Sequence, residues 1–364
     1  MKRLGLATIC LLLLSGCCCR VGPNHMEEDT LCYNHAVQTS TDKQVLLNLV
    51  RLRYHDTPSF LDVGVISAGY DINRSAKLPI TFNNGIHPSG IDFTKVVPEF
   101  GCSYSEKPTT TYSPLTGQRF VTQLLTPISI NQMVLLNDMG WRIDRLFRLC
   151  VQRINRIQNA PTASGPTPSY TPKYEDYLTL MEAFYHLEHT DAIHLLPRNN
   201  PTTGQVEAVL MLDTKQGEAE MLAKVWQILD IKPGTEIIRL MPNNANPRQG
   251  DELYLDTRSP LGILYFLSHA VNVPNHHENC HWVTTTDDSG TPFEWNRVLG
   301  GLMNIRYGTP KQNPAVIVNY RGVPFYIGDG DLESKSTFSL LSQLLALQFG
   351  EAQLPILTLP ITSN

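Results

Sequence analysis

The sequence predicts an α/β or α+β body, with a mixed sheet packed with several buried helices, preceded by a signal peptide and a short tether. Three observations point there. Apolar residues recur at helical spacing in some stretches and alternate in others, so both element types are present. After residue 174 helical and strand stretches follow one another closely, as helices packed on a mixed sheet do. Hydrophobic residues make up 42% of the 364 and the formal charge is −5, which excludes intrinsic disorder. No glycine period or long heptad run is present, so collagen and coiled coil are excluded as well. The acidic balance argues against electrostatic binding of nucleic acid.

The N-terminus reads as an address. Lys2 and Arg3 form a basic start, and Leu4 to Leu14 is an apolar run of signal-peptide length. It is shorter than the ~20 residues a bilayer-spanning helix needs. Leu14-Ser15-Gly16-Cys17 follows and resembles the lipobox of bacterial lipoproteins, which implies cleavage before Cys17 and diacylglycerol on its thiol. Cys18 rather than Asp comes next, which in that resemblance points to the outer membrane, facing the periplasm. Loss of residues 1–16 removes Lys2 and Arg3, leaving 27 basic against 34 acidic residues and a charge of −7. General electrostatics would not hold such a chain to an anionic membrane, so the lipid must.

The chain divides, on this reading, into signal peptide 1–16, membrane tether 17–38, an N-terminal α+β domain 39–158, a Pro-rich linker 159–173 and a C-terminal α/β domain 174–364. Thr41 and Gln44 have capping-box spacing ahead of Leu46, Leu49 and Val50, and Pro58 closes that helix. Leu61, Val63 and Val65 alternate in a strand over 60–70, and residues 91–130 read as extended strands and loops. Ile143, Leu146, Phe147, Cys150, Ile154 and Ile157 predict one helix over 142–157. Four prolines between 159 and 172 mark the linker. Helices are expected at 174–187 and 218–229, and strands at 206–212, 237–241 and 253–255. Ser259 and Pro260 open a helix that is apolar nearly all round and so buried. A hairpin spans 315–327 across Arg321 to Pro324, and Ser334 starts another buried helix.

Of eight cysteines, Cys10 leaves with the signal and Cys17 takes the lipid. The other six allow 15 pairings, and export permits disulfides without requiring them. Cys150 falls on an apolar stripe and is expected as a buried thiol. The stretches LLNLVRLRYHDTPSFLDV (46–63), PTTTYSPLTGQRFVTQLLTPI (108–128), TRSPLGILYFLS (257–268) and 320–347 resemble a family of predicted bacterial lipoproteins of uncharacterised function. The resemblance runs from about residue 40 to the C-terminus. It implies export and a lipid anchor, and no reaction.

Several groups carry potential chemistry. Arg142, Arg145, Arg148, Arg153 and Arg156, opposed only by Asp144, would share a helix face suited to phosphate, carboxylate or an acidic partner. Its plainer reading is a solvated face. His276, His277, Cys280 and His281 crowd one segment with Glu278, and His186 and His189 are three residues apart on a helix, so both groups are metal candidates. The plainer readings are a polar loop and a helix end. Asp329, Asp331 and Glu333 read as calcium ligands or, more simply, as acids at a helix start. His55 beside Asp56 suggests a general base, but neighbouring side chains diverge. Gly-x-Ser-x-Gly, a Walker loop and a full Gly-x-Gly-x-x-Gly are absent. The expectation is a lipid-anchored envelope protein that binds a partner protein or an anionic envelope polymer, uses no cofactor and runs no reaction. The alternatives are an envelope hydrolase, metal-assisted or not, and a lipid carrier lined by the 261–270 and 340–347 helices.

Overall fold

The computed structural model describes residues 21–77, 99–199, 204, 206–243 and 251–349. The expected signal peptide, Cys17, Cys18 and Cys19 lie outside the described residues. The fold is mixed α/β, with ten helices and a six-stranded mixed sheet among the described residues. No helix of the described residues is long and apolar enough to cross a membrane. Residues 59–115 form one compact unit and the remainder another.

Helix α1 (Val21–Arg53) opens the larger unit. The smaller unit is an antiparallel hairpin of β1 (Leu61–Lys77) and β2 (Glu99–Pro114), paired from Leu61 opposite Pro114 to Lys77 opposite Glu99. The chain then re-enters the larger unit through α2 (Gln118–Leu125), α3 (Ile130–Asp138) and α4 (Ile143–Cys150). Ser129 and Gln132 bond each other's backbone in a full capping box at the start of α3.

The central sheet takes strands from a long stretch of sequence. They are β3 (Val151–Ile154), β4 (Ile157–Gln158), β5 (Ile193–Asn199), β6 (Val206–Leu212), β7 (Ile237–Pro242) and β8 (Glu252–Thr257). Their spatial order is β4-β3-β8-β7-β6-β5, with β7 and β8 parallel and all other neighbours antiparallel. Between them run α5 (Glu175–His189) and α6 (Ala219–Leu229), which pack on each other. After β8 comes α7 (Pro260–Ser268), where the Ser259 hydroxyl accepts from Gly262 N and Pro260 takes the first turn. Ile263, Leu264, Phe266 and Leu267 are all inaccessible to solvent, so α7 is the buried helix its composition demands. Short elements follow: α8 (Asn275–Asn279), the two-residue strands β9 (Asp287–Asp288) and β10 (Thr291–Pro292), and α9 (Asn296–Leu299).

A second, three-stranded sheet joins β11 (Arg306–Tyr307), β12 (Pro314–Tyr320) and β13 (Val323–Gly328) in the order β11-β13-β12. Arg321 and Gly322 close the β12–β13 hairpin with φ of 49° and 79°, the pair of left-handed residues a two-residue primed turn requires. Helix α10 (Leu332–Phe349) begins where Asp331 accepts from Ser334 N, so the acid there caps a helix. Helix α1 packs against both β12 and α7.

Two expectations need correction, and the expected tether gains a conformation. The helix over 142–157 stops at Cys150, and Val151–Ile154 instead pairs with β8. Cys150, Ile154 and Ile157 mimic helical spacing only because a helix hands over to a strand within that window. The tether at 17–38 is helical wherever it is described, from Val21 onward. The segment 159–173 does not divide two domains, since β3 and β4 before it share a sheet with β5 to β8 after it. Asn159, Ala160, Ala163 and Thr167 are buried, so this segment fills core positions that a solvated linker leaves empty.

One side chain explains both the early end of α4 and the burial of 159–164. Arg258, 1% exposed, follows β8 and precedes α7. Its Nη1 donates to the carbonyls of Arg148, Leu149 and Val151 at 3.0–3.1 Å. Its Nη2 donates to the Asn159 carbonyl and its Nε to Ser164 Oγ. The guanidinium carbon stands 3.8 Å from the centre of the Phe266 ring. Arg148 and Leu149 lie in the last turn of α4, where helix carbonyls lack intrahelical donors and the dipole favours a cation. Asn159 Nδ2 donates to two of the same carbonyls. With those acceptors occupied, the chain turns into β3.

Arg258→Met should therefore lower stability by about 3 kcal/mol or more, because donors are withdrawn from buried carbonyls. Arg258→Lys should recover only part of it, since an ammonium cannot reproduce the planar fork. Urea midpoints of the two variants and the parent chain check this; equal midpoints would remove Arg258 from its central place.

Candidate functional site

A polar concavity lies where α1 ends. Arg53 is the last residue of the helix, and the chain leaves by a tight reversal. His55 N donates to Leu52 O and Asp56 N to Arg51 O, with His55 at φ 60°. This is the Schellman arrangement, with histidine in the place glycine usually takes. It turns Tyr54 into the core and sends Asp56 to Tyr320 and Arg321.

Arg53 itself is carried inward and is 6% exposed. Its Nη1 donates to Thr284 O at 2.9 Å and Thr167 Oγ1 at 3.3 Å. Its Nε is buried and has no hydrogen-bond partner. Burial lowers its pKa, and the charge of Glu278 acts in the opposite sense.

His269, 4% exposed, caps the C-terminus of α7. Its Nδ1 lies 2.7 Å from Tyr265 O and 3.2 Å from Phe266 O. A carbonyl only accepts, so Nδ1 carries the proton and the neutral ring has its lone pair at Nε2. That Nε2 is also buried without a partner. Burial, then the nearby charge of Arg53, push the His269 pKa down to about 3. The Trp295 ring covers the imidazole at 4.0 Å between centroids and is itself fixed by Nε1 donating to Thr286 Oγ1.

Arg53 and His269 both line a cleft of about 620 Å³, within the usual range for small-molecule sites. Carboxylates enter it from Glu278 on α8 and from Glu294, amides from Asn272, Asn275, Asn296 and Asn304, and rings from Phe293, Trp295 and Tyr307. Glu278 also lines a second, more open concavity with His55, His281 and Trp282. The cleft thus offers amides, two acids and aromatic surface. Its lining has no serine, threonine or cysteine.

The residues singled out from sequence distribute differently. The arginine face does not exist as one face. Arg142 is bound to Asp144 and sits over the Tyr185 ring. Arg145 is buried against Glu333 and Thr337. Arg148 donates to Val298 O and Gly300 O and lines a small cleft of about 260 Å³ with Asp144, Glu182 and Arg297. Arg153 lies on β3, and Arg156 is exposed in the turn after it. The end of α4 at Cys150 is what separates them.

The metal candidates do not gather either. No group of three or more His, Cys, Asp or Glu that could hold a metal ion is found among the described residues. His189 Nδ1 is 3.0 Å from Tyr185 O on its own helix, and His186 packs edge-on to the Tyr185 ring. His277 is buried, its Nδ1 2.6 Å from Tyr54 Oη, while His276, Cys280 and His281 are exposed. Cys150 is the fully buried thiol expected, with its pKa raised to about 12 by burial. The apolar side chains of α7 and of Leu340, Leu341, Leu344 and Leu345 are packed in the core rather than lining the cleft.

No protein-family model, curated protein or solved structure matches this chain. The site is therefore read from its own residues. Arg53, Glu278 and His269 stood inside segments that the sequence flagged, though His269 only as part of a buried apolar helix, and Trp295 did not. The available signal for His269 was a lone imidazole at the end of an otherwise apolar helix.

The His269 pKa gives a pH dependence. The folded value lies below the unfolded one, so the unfolded chain binds the extra proton first. Stability from this group is complete above about pH 6.5 and falls as pH drops toward the folded pKa, by up to about 1.4 kcal/mol per pH unit. His269→Asn, which keeps a donor near the Nδ1 position but does not titrate, should flatten that acid limb. Urea midpoints between pH 7 and pH 4 test it; parallel curves for the two proteins would place the titration elsewhere.

Proposed function

We propose that this chain is a lipid-anchored cell-envelope protein, held through Cys17 on the periplasmic side of the outer membrane, and that its α/β body is a binding component rather than an enzyme. The single observation that supports binding is the cleft itself, which gathers amides, two carboxylates and aromatic rings beside the buried side chains of Arg53 and His269. Clefts of this size lined by aromatic surface and a few convergent polar groups are the usual form of a small-molecule site. Binding is favoured over acid–base catalysis because an imidazole with a pKa near 3 is a poor base at neutral pH.

The address rests on the basic start, apolar run, small pair and cysteine of residues 2–17. Cys17 precedes the start of α1 by four residues. At 1.5 Å per residue the 33-residue helix is about 50 Å long. The first fully buried side chain along it, among those described, is Val45. A helix of that form would set the body away from the lipid surface, where the expected envelope protein or polymer partner could reach it.

An envelope hydrolase is the second reading. The observation in its favour is that two carboxylates, Glu278 and Glu294, line one cleft, as the acid and base of glycoside hydrolysis do. The metal-assisted form of that reading lacks a convergent ligand set among the described residues.

Two measurements decide. Mass spectrometry of the native chain should find a diacylglyceryl-modified Cys17 at its N-terminus, and Cys17→Ser should move the protein from the membrane to the soluble fraction. An unmodified thiol would overturn the anchor. Incubation with purified cell-wall glycan should release no product, and Glu278→Gln with Glu294→Gln should leave that result unchanged. Product release by the parent chain, lost in the double variant, would replace the binding reading with the hydrolase.

A further inference from the structure

An apolar groove of about 400 Å³ lies between the start of α3 and the ends of β6, β7 and β8. We propose that it takes residues 353–361 of the same chain as an extended segment, an inference independent of the cleft at the end of α1.

The groove forms where α3, which packs on β5, β6 and β7, begins. Ile128 and Ile130 line it on either side of the Ser129 cap. Ala208, Leu240 and Leu255 line it from three neighbouring strands. Val206 lines it as well and is 60% exposed. Glu207 is the only charged residue of the lining among the described residues, so a charged polymer finds little to hold there. A contiguous apolar concavity of this kind marks an interaction site.

The occupant follows from where α10 ends and from what comes after it. Gln348, in the last turn of α10, donates from Nε2 to Gln123 O at 3.1 Å, and its Oε1 accepts from Gln132 Nε2 at 3.4 Å. Gln132 Oε1 in turn accepts from Ser129 N, and Ser129 lines the groove. The end of α10 is therefore one side chain away from the rim. Five residues separate Phe349 from Leu354, a reach of about 17 Å when extended. Seven of the nine residues from Gln353 to Ile361 are apolar and none is charged, which matches the lining. Pro355 and Pro360 prevent a helix through this stretch and bias Leu354 and Leu359 toward extended backbone. That bias lowers the ordering cost of docking. A segment tethered this close competes at an effective concentration in the mM range, ahead of a free partner.

The test uses the full-length chain with the photoreactive residue p-benzoylphenylalanine in place of Val206. Irradiation should join position 206 to a residue between 353 and 361, at the mass of one chain. The same cross-link at the mass of two chains would put the segment of a second copy in the groove and overturn the proposal. Cross-links only to other segments, or to a co-purifying lipid, would overturn it as well. A second measurement follows maleimide alkylation of Val206→Cys in the otherwise unaltered chain. It is read on the peptide that contains residue 206, because Cys32 and Cys280 are exposed too. Ile356→Asp with Leu357→Asp should speed that alkylation at least fivefold, since neighbouring residues of an extended segment face opposite ways and one of the two meets the groove. An unchanged rate would overturn the proposal even where the photoreactive variant does not fold.

Discussion

Arg258 is a buried cation with no ion-pair partner among the described residues, held by backbone carbonyls, one hydroxyl and the face of Phe266. Taking a guanidinium out of water costs several kcal/mol. The offset comes from charge-assisted hydrogen bonds, from the negative end of α4 and from the aromatic face. Because those acceptors belong to the end of α4, the first residue of β3 and the 159–164 segment, one side chain brings three parts of the chain together. Arg258 also stands at the junction of β8 and α7, so the same group joins the central sheet to the buried helix on which α1 packs. The cleft is built on the far ends of those two helices, at Arg53 and His269.

That arrangement sets what could be read in advance. Local signals survived where they were self-sufficient: Ser259 with Pro260 at the start of α7, Arg321-Gly322 in the hairpin, and the alternating elements after residue 174. The mixed α/β class follows from those same signals. The 142–157 window misled because apolar spacing alone cannot mark where a helix becomes a strand. Nothing inside that window says that its carbonyls are claimed by an arginine about a hundred residues later. The 159–172 segment misled for the same reason. Proline and small polar residues suit a solvated linker, but they also suit a segment whose backbone carbonyl and hydroxyl coordinate a buried cation.

The site was less legible than the fold. Charged residues invite the assumption of exposure, so the arginines of 142–156 read as a docking surface. The two on α4 instead bond neighbouring backbone or side chains, Arg145 at Glu333 and Thr337 and Arg148 at the Val298 and Gly300 carbonyls. The histidine cluster at 276–281 read as ligands because its composition fits a metal, but a short helix and a turn disperse the side chains. His277 turns in toward Tyr54 while its neighbours face out. Conversely, the pair that shares the cleft, Arg53 and His269, is separated by more than two hundred residues. Only the packing of α1 on α7 makes them neighbours.

The contrast between Arg258 and Arg53 bears on what the cleft is for. Every guanidinium nitrogen of Arg258 has a partner, whereas the buried Nε atoms of Arg53, Arg148 and Arg153 have none. Arg53 is almost as deeply buried and differs from the other two in lining the same cleft as His269, whose Nε2 is also without a partner. Local rules are broken where function requires it, and the cost is carried by the rest of the structure. The protonation state of His269 belongs to the same logic. A solvated imidazole would take a proton near pH 6.5 and become a donor on both sides, abolishing the acceptor. Burial next to Arg53 keeps the ring neutral well below that point. The protonation state beneath the cleft, and with it the packing of His269 under Trp295, therefore stays unchanged through mildly acid conditions.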